Sequence, residues 1–255
     1  MYTQAEPQQR PDYTFTVSAR AKTAQVPVFQ FLRRQFGHIP LIQIESLFGF
    51  VEHTTLYGGR PFARRQLSDR DVRQLNNAGI GVRLPLSNHF VSREEYEENK
   101  EFLRKYHRKP NSVIVTNDDL AGWISEDFPD FRIDASVIKN INTTRKLENA
   151  LKIYDEVVLP MTTNEDQSFL TSIKDRDRIT LFANAGCAFT CPSKICYVSI
   201  SKMNKGDPDA EFKCSQNIKE RDQLGMIDFD LKPLIDMGFQ SFKLLRARPG
   251  NMTGL

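Results

Sequence analysis

The sequence has few of the residues and patterns that mark the commonest functional sites. Histidine occurs four times and not after His107, and no two histidines have the H-x-x-x-H spacing of a helical metal site. The G-x-G-x-x-G, Walker and G-x-S-x-G patterns are missing, which argues against a nucleotide-binding fold and an α/β-type serine hydrolase. No apolar run approaches the roughly 18–20 residues that span a membrane.

The overall composition is that of a soluble globular protein, with 40% hydrophobic and 26% charged residues. The polar N-terminus lacks the apolar core of a signal peptide, so we expect no membrane insertion and a cytoplasmic location. Thiols stay reduced there, and structural disulfides are disfavoured. We expect residues 1–12 to be a flexible N-terminus and residues 13–255 to form a single domain.

Cysteine is also scarce, and all four cysteines fall in one 28-residue window with the spacing C-x3-C-x4-C-x17-C: Cys187, Cys191, Cys196 and Cys214. Thiolates are soft ligands, and four in one segment suit zinc or an iron–sulfur cluster. Structural zinc usually shows two C-x2–4-C pairs, and only the first two cysteines could form one. The Cys191-Pro192 dipeptide resembles the end of some iron–sulfur motifs. We therefore favour an iron–sulfur cluster, with zinc or unmetallated thiols as alternatives.

Eight short apolar or β-branched runs alternate with helical patterns along the chain. They cover residues 13–18, 41–45, 81–86, 113–116, 132–135, 156–159, 179–183 and 241–245. Regular alternation of eight strands with helices predicts a single (βα)8 TIM-type barrel, with a doubly wound open sheet as the alternative.

Helical patterns include residues 24–36, 69–77 and 93–107. Ser68 and Ser92 stand at N-cap positions, and Ser92 followed by Glu95 resembles a capping box. Gly79 and Gly238 come directly after helical patterns, where a left-handed C-cap needs glycine.

The segment 186–230 between the seventh and eighth strands is much longer than a normal βα connection, and it holds every cysteine. It should lie on the C-terminal face of the barrel, where barrel enzymes place their active sites. Asp134, Asn184 and Lys243 lie on or at the ends of strands, which makes them pocket candidates by position. A helix cap or a buried polar network would explain the same residues without a catalytic role.

The densest basic stretch comprises Arg60, Arg64, Arg65, Arg70 and Arg73. Such a stretch can be a phosphate footprint, but a solvated helix face and loop is the favoured interpretation, and the interleaved aromatics are too few for a nucleic-acid platform. RNA and a protein partner are both open expectations at this point.

Several segments, taken in order, resemble the collagenase-like peptidase family U-32, a group of TIM-barrel proteins. The matching segments are YGGRPFAR (57–64), NAGIGVRLPLSN (77–88), EVVLP (156–160), LFANAGC (181–187), ICYVS (195–199), FKCSQ (212–216) and LIDMG through FKL (234–244). The resemblance implies a barrel with a four-cysteine [4Fe–4S] cluster at its mouth. In this chain Cys191 stands in for the family's usual fourth cysteine, which would follow Cys214.

Members of the family are tied to oxygen-independent hydroxylation of RNA bases or of ubiquinone precursors. The resemblance thus implies a redox or hydroxylation enzyme acting on an unidentified substrate. Alternatives are a metal-stabilised binding or assembly partner without catalysis, or a peptidase as the family name suggests. Leu245-Arg246-Ala247 replaces the glutamate-containing end of the family's last strand, and Met161-Thr162 replaces an arginine-glutamate pair.

Overall fold

Eight parallel strands close into one barrel in the computed structural model, which describes residues 11–191, 193–216 and 227–245. The strands are β1 (Thr14–Ser18), β2 (Ile44–Phe48), β3 (Gly81–Leu84), β4 (Ser112–Val115), β5 (Arg132–Ala135), β6 (Glu156–Val158), β7 (Ile179–Phe182) and β8 (Ser241–Leu244). Each pairs with the next, and β8 returns to β1 with Lys243 opposite Thr16. The predicted (βα)8 barrel is confirmed. Most of the expected flexible segment 1–12 lies outside the described residues.

Helices alternate with the strands around the barrel. Within the described ranges they are α1 (Val28–Phe36), α2 (Asp69–Asn77), α3 (Arg93–Glu98), α4 (Lys100–Tyr106), α5 (Asp118–Asp127), α6 (Thr144–Ala150), α7 (Gln167–Ser172), α8 (Cys196–Asn204) and α9 (Lys232–Asp236). None of these helices is long and apolar enough to cross a membrane.

Seven strands lie within two residues of their predicted bounds, but the second prediction, residues 41–45, was wrong. Pro40 instead precedes a 3-10 turn over Leu41–Gln43, and β2 begins only at Ile44. The apolar side chains of Leu41 and Ile42 are exposed to solvent, so these two residues do not belong to a buried strand of the barrel.

The helix predicted over 93–107 is two helices, α3 and α4, because Asn99 interrupts it. The Asn99 side chain accepts a hydrogen bond from Thr54 Oγ1 at 2.6 Å. Ser92 caps α3 as expected, but the Glu95 carboxylate pairs with Lys205 at 2.5 Å. A capping box forms instead at Ser68, with Asp71 at its third position.

The two predicted glycine C-caps are confirmed. Gly79 and Gly238 have φ of +75° and +94°, a region that side chains with a Cβ rarely adopt.

The main core lies between the outer faces of the strands and the helices. On β1, Val17 packs outward into this core, and Thr16 reaches inward to Ser46 of β2 at 2.8 Å. A second, smaller apolar cluster forms where β6 and β7 end, around Met161, Phe182 and Ala185. The smaller cluster supports the start of the cysteine-bearing connection.

Candidate functional site

The interior of the barrel contains a layer of paired charges. Arg83 on β3 is fully buried, and its Nη1 lies 3.3 Å from Asp134 Oδ2 and 3.2 Å from Glu156 Oε1. Glu45, on β2, lies 3.0 Å from Arg83 Nη2 and 2.7 Å from Arg132 Nη1. Barrel interiors are usually filled by branched apolar side chains, so this layer departs from the usual pattern.

The charges in this layer shift one another's pKa values. Burial disfavours ionisation of Glu45, but the guanidinium groups of Arg83 and Arg132 outweigh it and lower the Glu45 pKa to about 2. Burial raises the pKa of Asp134 to about 6, against the opposing effect of the same two arginines. Three carboxylates face two guanidinium groups, which leaves one spare negative charge inside the barrel when Asp134 is ionised.

A cavity of about 200 Å³ opens at the C-terminal ends of the strands. We call it the mouth cavity. Phe48, Ile114 and Phe182 line it from the barrel, and Tyr197 and Ile200 of α8 line it from the cysteine-bearing connection. Most of its wall is apolar. This is the face of a barrel on which active sites are built.

All four cysteines line the mouth cavity: Cys187, Cys191, Cys196 and Cys214. Cys187 opens a 3-10 turn three residues after Asn184, at the end of β7, and Cys196 is the first residue of α8. Cys214 is brought close by its neighbour, since Ser215 Oγ lies 3.3 Å from Cys191 Sγ. Each cysteine side chain is partly buried.

The thiols influence one another electrostatically. Burial raises the pKa of Cys196 to about 11, and the charges of the other three cysteines contribute. The pKa of Cys191 is lowered despite its burial, because the Ser215 hydroxyl and the backbone N–H of Lys194, 3.3 Å from Sγ, stabilise its thiolate. In the described part of the chain, no three Cys, His, Asp or Glu side chains form a group that could hold a metal ion.

Helix α8 is held over the cavity by side chains that the sequence interpretation did not identify. Asn204 Nδ2 donates to the carbonyl oxygens of Tyr57 and Arg60, both at 3.0 Å, and its Oδ1 accepts from Phe62 N at 2.8 Å. Asn88 Nδ2 donates to Ser201 O at 2.9 Å. The connections after β2 and β3 thus hold the helix that carries Cys196.

The loop that receives Asn204 depends on a close backbone approach. A Cβ on Gly58 would lie 2.2 Å from the Ser87 carbonyl oxygen, so only glycine fits without movement of the chain. Its neighbour Gly59 has a φ of +77°.

The three pocket candidates lie in different surroundings. Lys243 lines the mouth cavity, whereas Asp134 belongs to the ion layer inside the barrel. Asn184 is buried at the end of β7, where its Oδ1 accepts from Leu245 N at 2.9 Å and its backbone pairs with Asp228. That pairing joins the two ends of the long connection. A catalytic role for any of the three stays a prediction.

The basic stretch does not form one surface. Arg60 lines the mouth cavity, and Arg65 is paired with Asp69. Arg64, Arg70 and Arg73 are exposed.

The chain folds as a single (βα)8 barrel. A solved structure described as "The Structure of the U32 Peptidase Mk0906" superposes with a TM-score of 0.58 over 97% of this chain and 98% of that chain. Sequence identity is 12%, so the comparison confirms the U32-like fold predicted from the sequence segments and nothing finer. No family model and no curated protein matches the sequence.

Proposed function

We propose that this protein is an iron–sulfur barrel enzyme that carries out a redox or oxygen-independent hydroxylation step on a substrate in the mouth cavity. The observation that carries the proposal is the convergence of four partly buried cysteines on one cavity at the C-terminal face of the barrel. The four come from a turn, a loop, a helix start and a returning segment, and a shared ligand explains why all four reach the same wall.

The donor set fits a [4Fe–4S] cluster held by Cys187, Cys191, Cys196 and Cys214. In such a cluster each thiolate binds a different iron, so the sulfurs are farther apart than around one tetrahedral zinc ion. The backbone N–H of Lys194 donates to Cys191 Sγ, and hydrogen bonds to sulfur tune such clusters. When bound, the cluster would supply one-electron transfer.

The other cavity residues would organise the substrate. Phe48, Ile114 and Phe182 form an apolar wall on the barrel side, which favours an apolar substrate body and limits access of water. Tyr197 lines the cavity beside the thiols, and burial raises the pKa of its phenol. Its hydroxyl therefore stays protonated at neutral pH and can donate a hydrogen bond to bound substrate.

The proposed cofactor is tested by purifying the protein without oxygen and measuring iron, acid-labile sulfide and zinc. We expect a brown protein with broad visible absorption and about four irons per chain. The variant Cys196→Ala should lose the colour and most of the iron because one ligand is missing. The matched control is Ser168→Ala, on the exposed surface of α7, which should keep both.

Colourless protein with one tightly held zinc ion would show that the cysteines bind zinc and not an iron–sulfur cluster. Iron content unchanged in all four single Cys→Ala variants would end the proposal that these residues bind a metal. A cluster that is present but not reduced by a chemical donor would favour the alternative of a metal-stabilised binding or assembly partner.

A peptidase is the second candidate, because the similar structure is titled as one. Among the described residues, His89 Nδ1 and Ser201 Oγ lie 3.0 Å apart, a serine–histidine pair. Ser201 is fully buried and donates to Tyr197 O, so its hydroxyl is not available to attack a peptide. We expect no cleavage of a fluorogenic peptide pool. Cleavage that is lost in Ser201→Ala would favour the peptidase.

The proposal implies a reducing compartment, and the cytoplasm is the simplest one. RNA or a protein partner stays a prediction, for which the exposed Arg64, Arg70 and Arg73 are the residues to test by salt-dependent binding.

A further inference from the structure

Apart from the thiols, the charged side chains on the wall of the mouth cavity are all cationic in the part of the chain that the structure describes. Arg20, Arg60, Lys194 and Lys243 line the cavity, and no described aspartate or glutamate does. Lys194 lies on the side of the thiols, three residues from Cys191. The other three lie elsewhere on the wall, and the inference concerns two of them, Arg60 and Lys243.

Lys243 is a buried amine that has no close counter-ion among the described residues. Its side chain projects from β8, the residue is 7% exposed, and Nζ lies 4.4 Å from the centroid of the Phe48 ring. Within the described ranges, no carboxylate comes within ion-pair distance of Nζ. The nearby carboxylates Asp134 and Glu156 are engaged by Arg83. The negative charges of Asp134 and Glu156 therefore stabilise the Lys243 ammonium group only through longer-range electrostatic attraction.

Arg60 is the second cation of the wall. Its guanidinium lies 4.3 Å over the Phe50 ring, and Nη2 donates to Gln66 Oε1 at 2.6 Å. No ion pair joins it to a carboxylate of the described chain. Burial, together with the charge of Arg20, lowers the pKa of Arg60 to about 9. Arg60 and Lys243 line the same cavity, and the charge of Arg60 contributes to the lowered pKa of Lys243.

Buried cations without a carboxylate partner are unfavourable, and a bound anion would relieve the repulsion between them. The apolar residues Phe48, Ile114 and Phe182 complete the same cavity. A ligand that satisfies both features has a charged oxyanion and an apolar body.

We propose that the mouth cavity binds a small-molecule oxyanion, a carboxylate or a phosphate on an apolar body, with Lys243 Nζ and the Arg60 guanidinium as its anion-binding groups. The proposal rests on the proposed function only in taking the mouth cavity as the substrate site. Its anion-binding groups are separate from the cysteines, so the two can fail independently.

The test uses anaerobically purified protein of measured iron content and three probes followed by ligand-observed NMR: phenylphosphonate, phenylacetate and the neutral phenylacetamide. We expect at least one anion to bind about tenfold or more tightly than the amide, since charge-assisted hydrogen bonds are lost with the amide. Binding of phenylphosphonate alone would identify a phosphate ligand, and binding of phenylacetate alone a carboxylate.

Lys243→Met keeps the length of the side chain and removes its charge, and it should weaken anion binding about tenfold or more. Arg60→Gln should do the same, and Arg60→Lys should restore part of the affinity. The control is Lys232→Met on the exposed surface of α9, which removes one positive charge away from the cavity and should leave binding unchanged.

Equal binding of the amide and the anions, or no binding of any probe to the wild type, would overturn the oxyanion site. Unchanged anion affinity in both Lys243→Met and Arg60→Gln would overturn the assignment of these residues. Normal anion binding by a protein without iron would refute the iron–sulfur function and leave the oxyanion site standing.

Discussion

Replacing Lys243 by methionine should make the protein more stable, by an amount that depends on pH. Burial, with the neighbouring charge of Arg83, lowers the pKa of Lys243 from the ordinary value of 10.5 to about 7, while Asp134, Glu156 and Arg60 act on it with smaller effects of either sign. At 1.36 kcal/mol per pH unit, this shift corresponds to a cost of roughly 3–5 kcal/mol whenever the folded protein must hold the charged amine. Methionine fills a similar volume without a charge.

The sign follows from proton binding. Above the folded pKa, the folded state has released the proton and the unfolded chain still holds it, so the wild type gains stability as the pH rises from 7 to 10. Below pH 7 both states hold the proton, and the full cost applies. The advantage of Lys243→Met over wild type should therefore be largest at pH 6 and should fall by about 2–3 kcal/mol at pH 9.

The assay is urea unfolding followed by far-ultraviolet circular dichroism under argon, at pH 6 and pH 9, for wild type, Lys243→Met and Lys232→Met. The last variant removes an exposed amine and should follow the wild type at both pH values. A variant that is less stable than wild type at pH 6, or an advantage that does not change with pH, would refute the account of Lys243 as a buried cation. Confirmation would mean that the chain retains a destabilising charge at the cavity, which is typical of a functional residue.

Two further changes test how the mouth cavity is built. Asn204→Ala removes three hydrogen bonds between α8 and the loop after β2. It should lower the free energy of unfolding by about 2–4 kcal/mol and speed hydrogen exchange in α8. The control is Asn149→Ala at an exposed position, and equal stability of the two variants would contradict the role of Asn204 in holding α8. Gly58→Ala places a Cβ 2.2 Å from the backbone oxygen of Ser87 and should cost about 2 kcal/mol or more in thermal or urea unfolding. Gly122→Ala in α5, where a Cβ meets no atom within 4 Å, should instead stabilise the protein by about 0.5–1 kcal/mol.

The barrel could be predicted from the sequence because most of its strands are short apolar runs with buried outer faces. The start of β2 was placed too early, because the exposed apolar residues Leu41 and Ile42 extend the apolar pattern beyond the strand. The four cysteines clustered along the chain line one cavity, and their role as metal ligands stays a prediction. The sequence interpretation did not include a helix in the connection, yet Cys196 begins one.

The ion layer was not predicted because its partners are far apart in the chain. Arg83 and Glu156 are 73 residues apart, and each looks like an isolated charge within an apolar strand. One signal was available: on β3, Arg83 stands between buried Val82 and Leu84, so the alternation of a strand turns it toward the barrel interior. Asp134 was singled out for its position at a strand end, and its surroundings are those of a buried charge network.

The docking of α8 has a consequence for the order in which the chain matures. The Tyr57 carbonyl, which accepts a hydrogen bond from Asn204 of α8, precedes Asn204 by 147 residues. The loop after β2 has therefore left the ribosome long before α8 does. β8, which closes the barrel between β7 and β1, is synthesised after the thiols. The four cysteines therefore emerge while the barrel still has an open seam. A cofactor added during synthesis would meet a wider entrance than the finished cavity offers, and exposure of the thiols to oxidants would be greatest in the same interval.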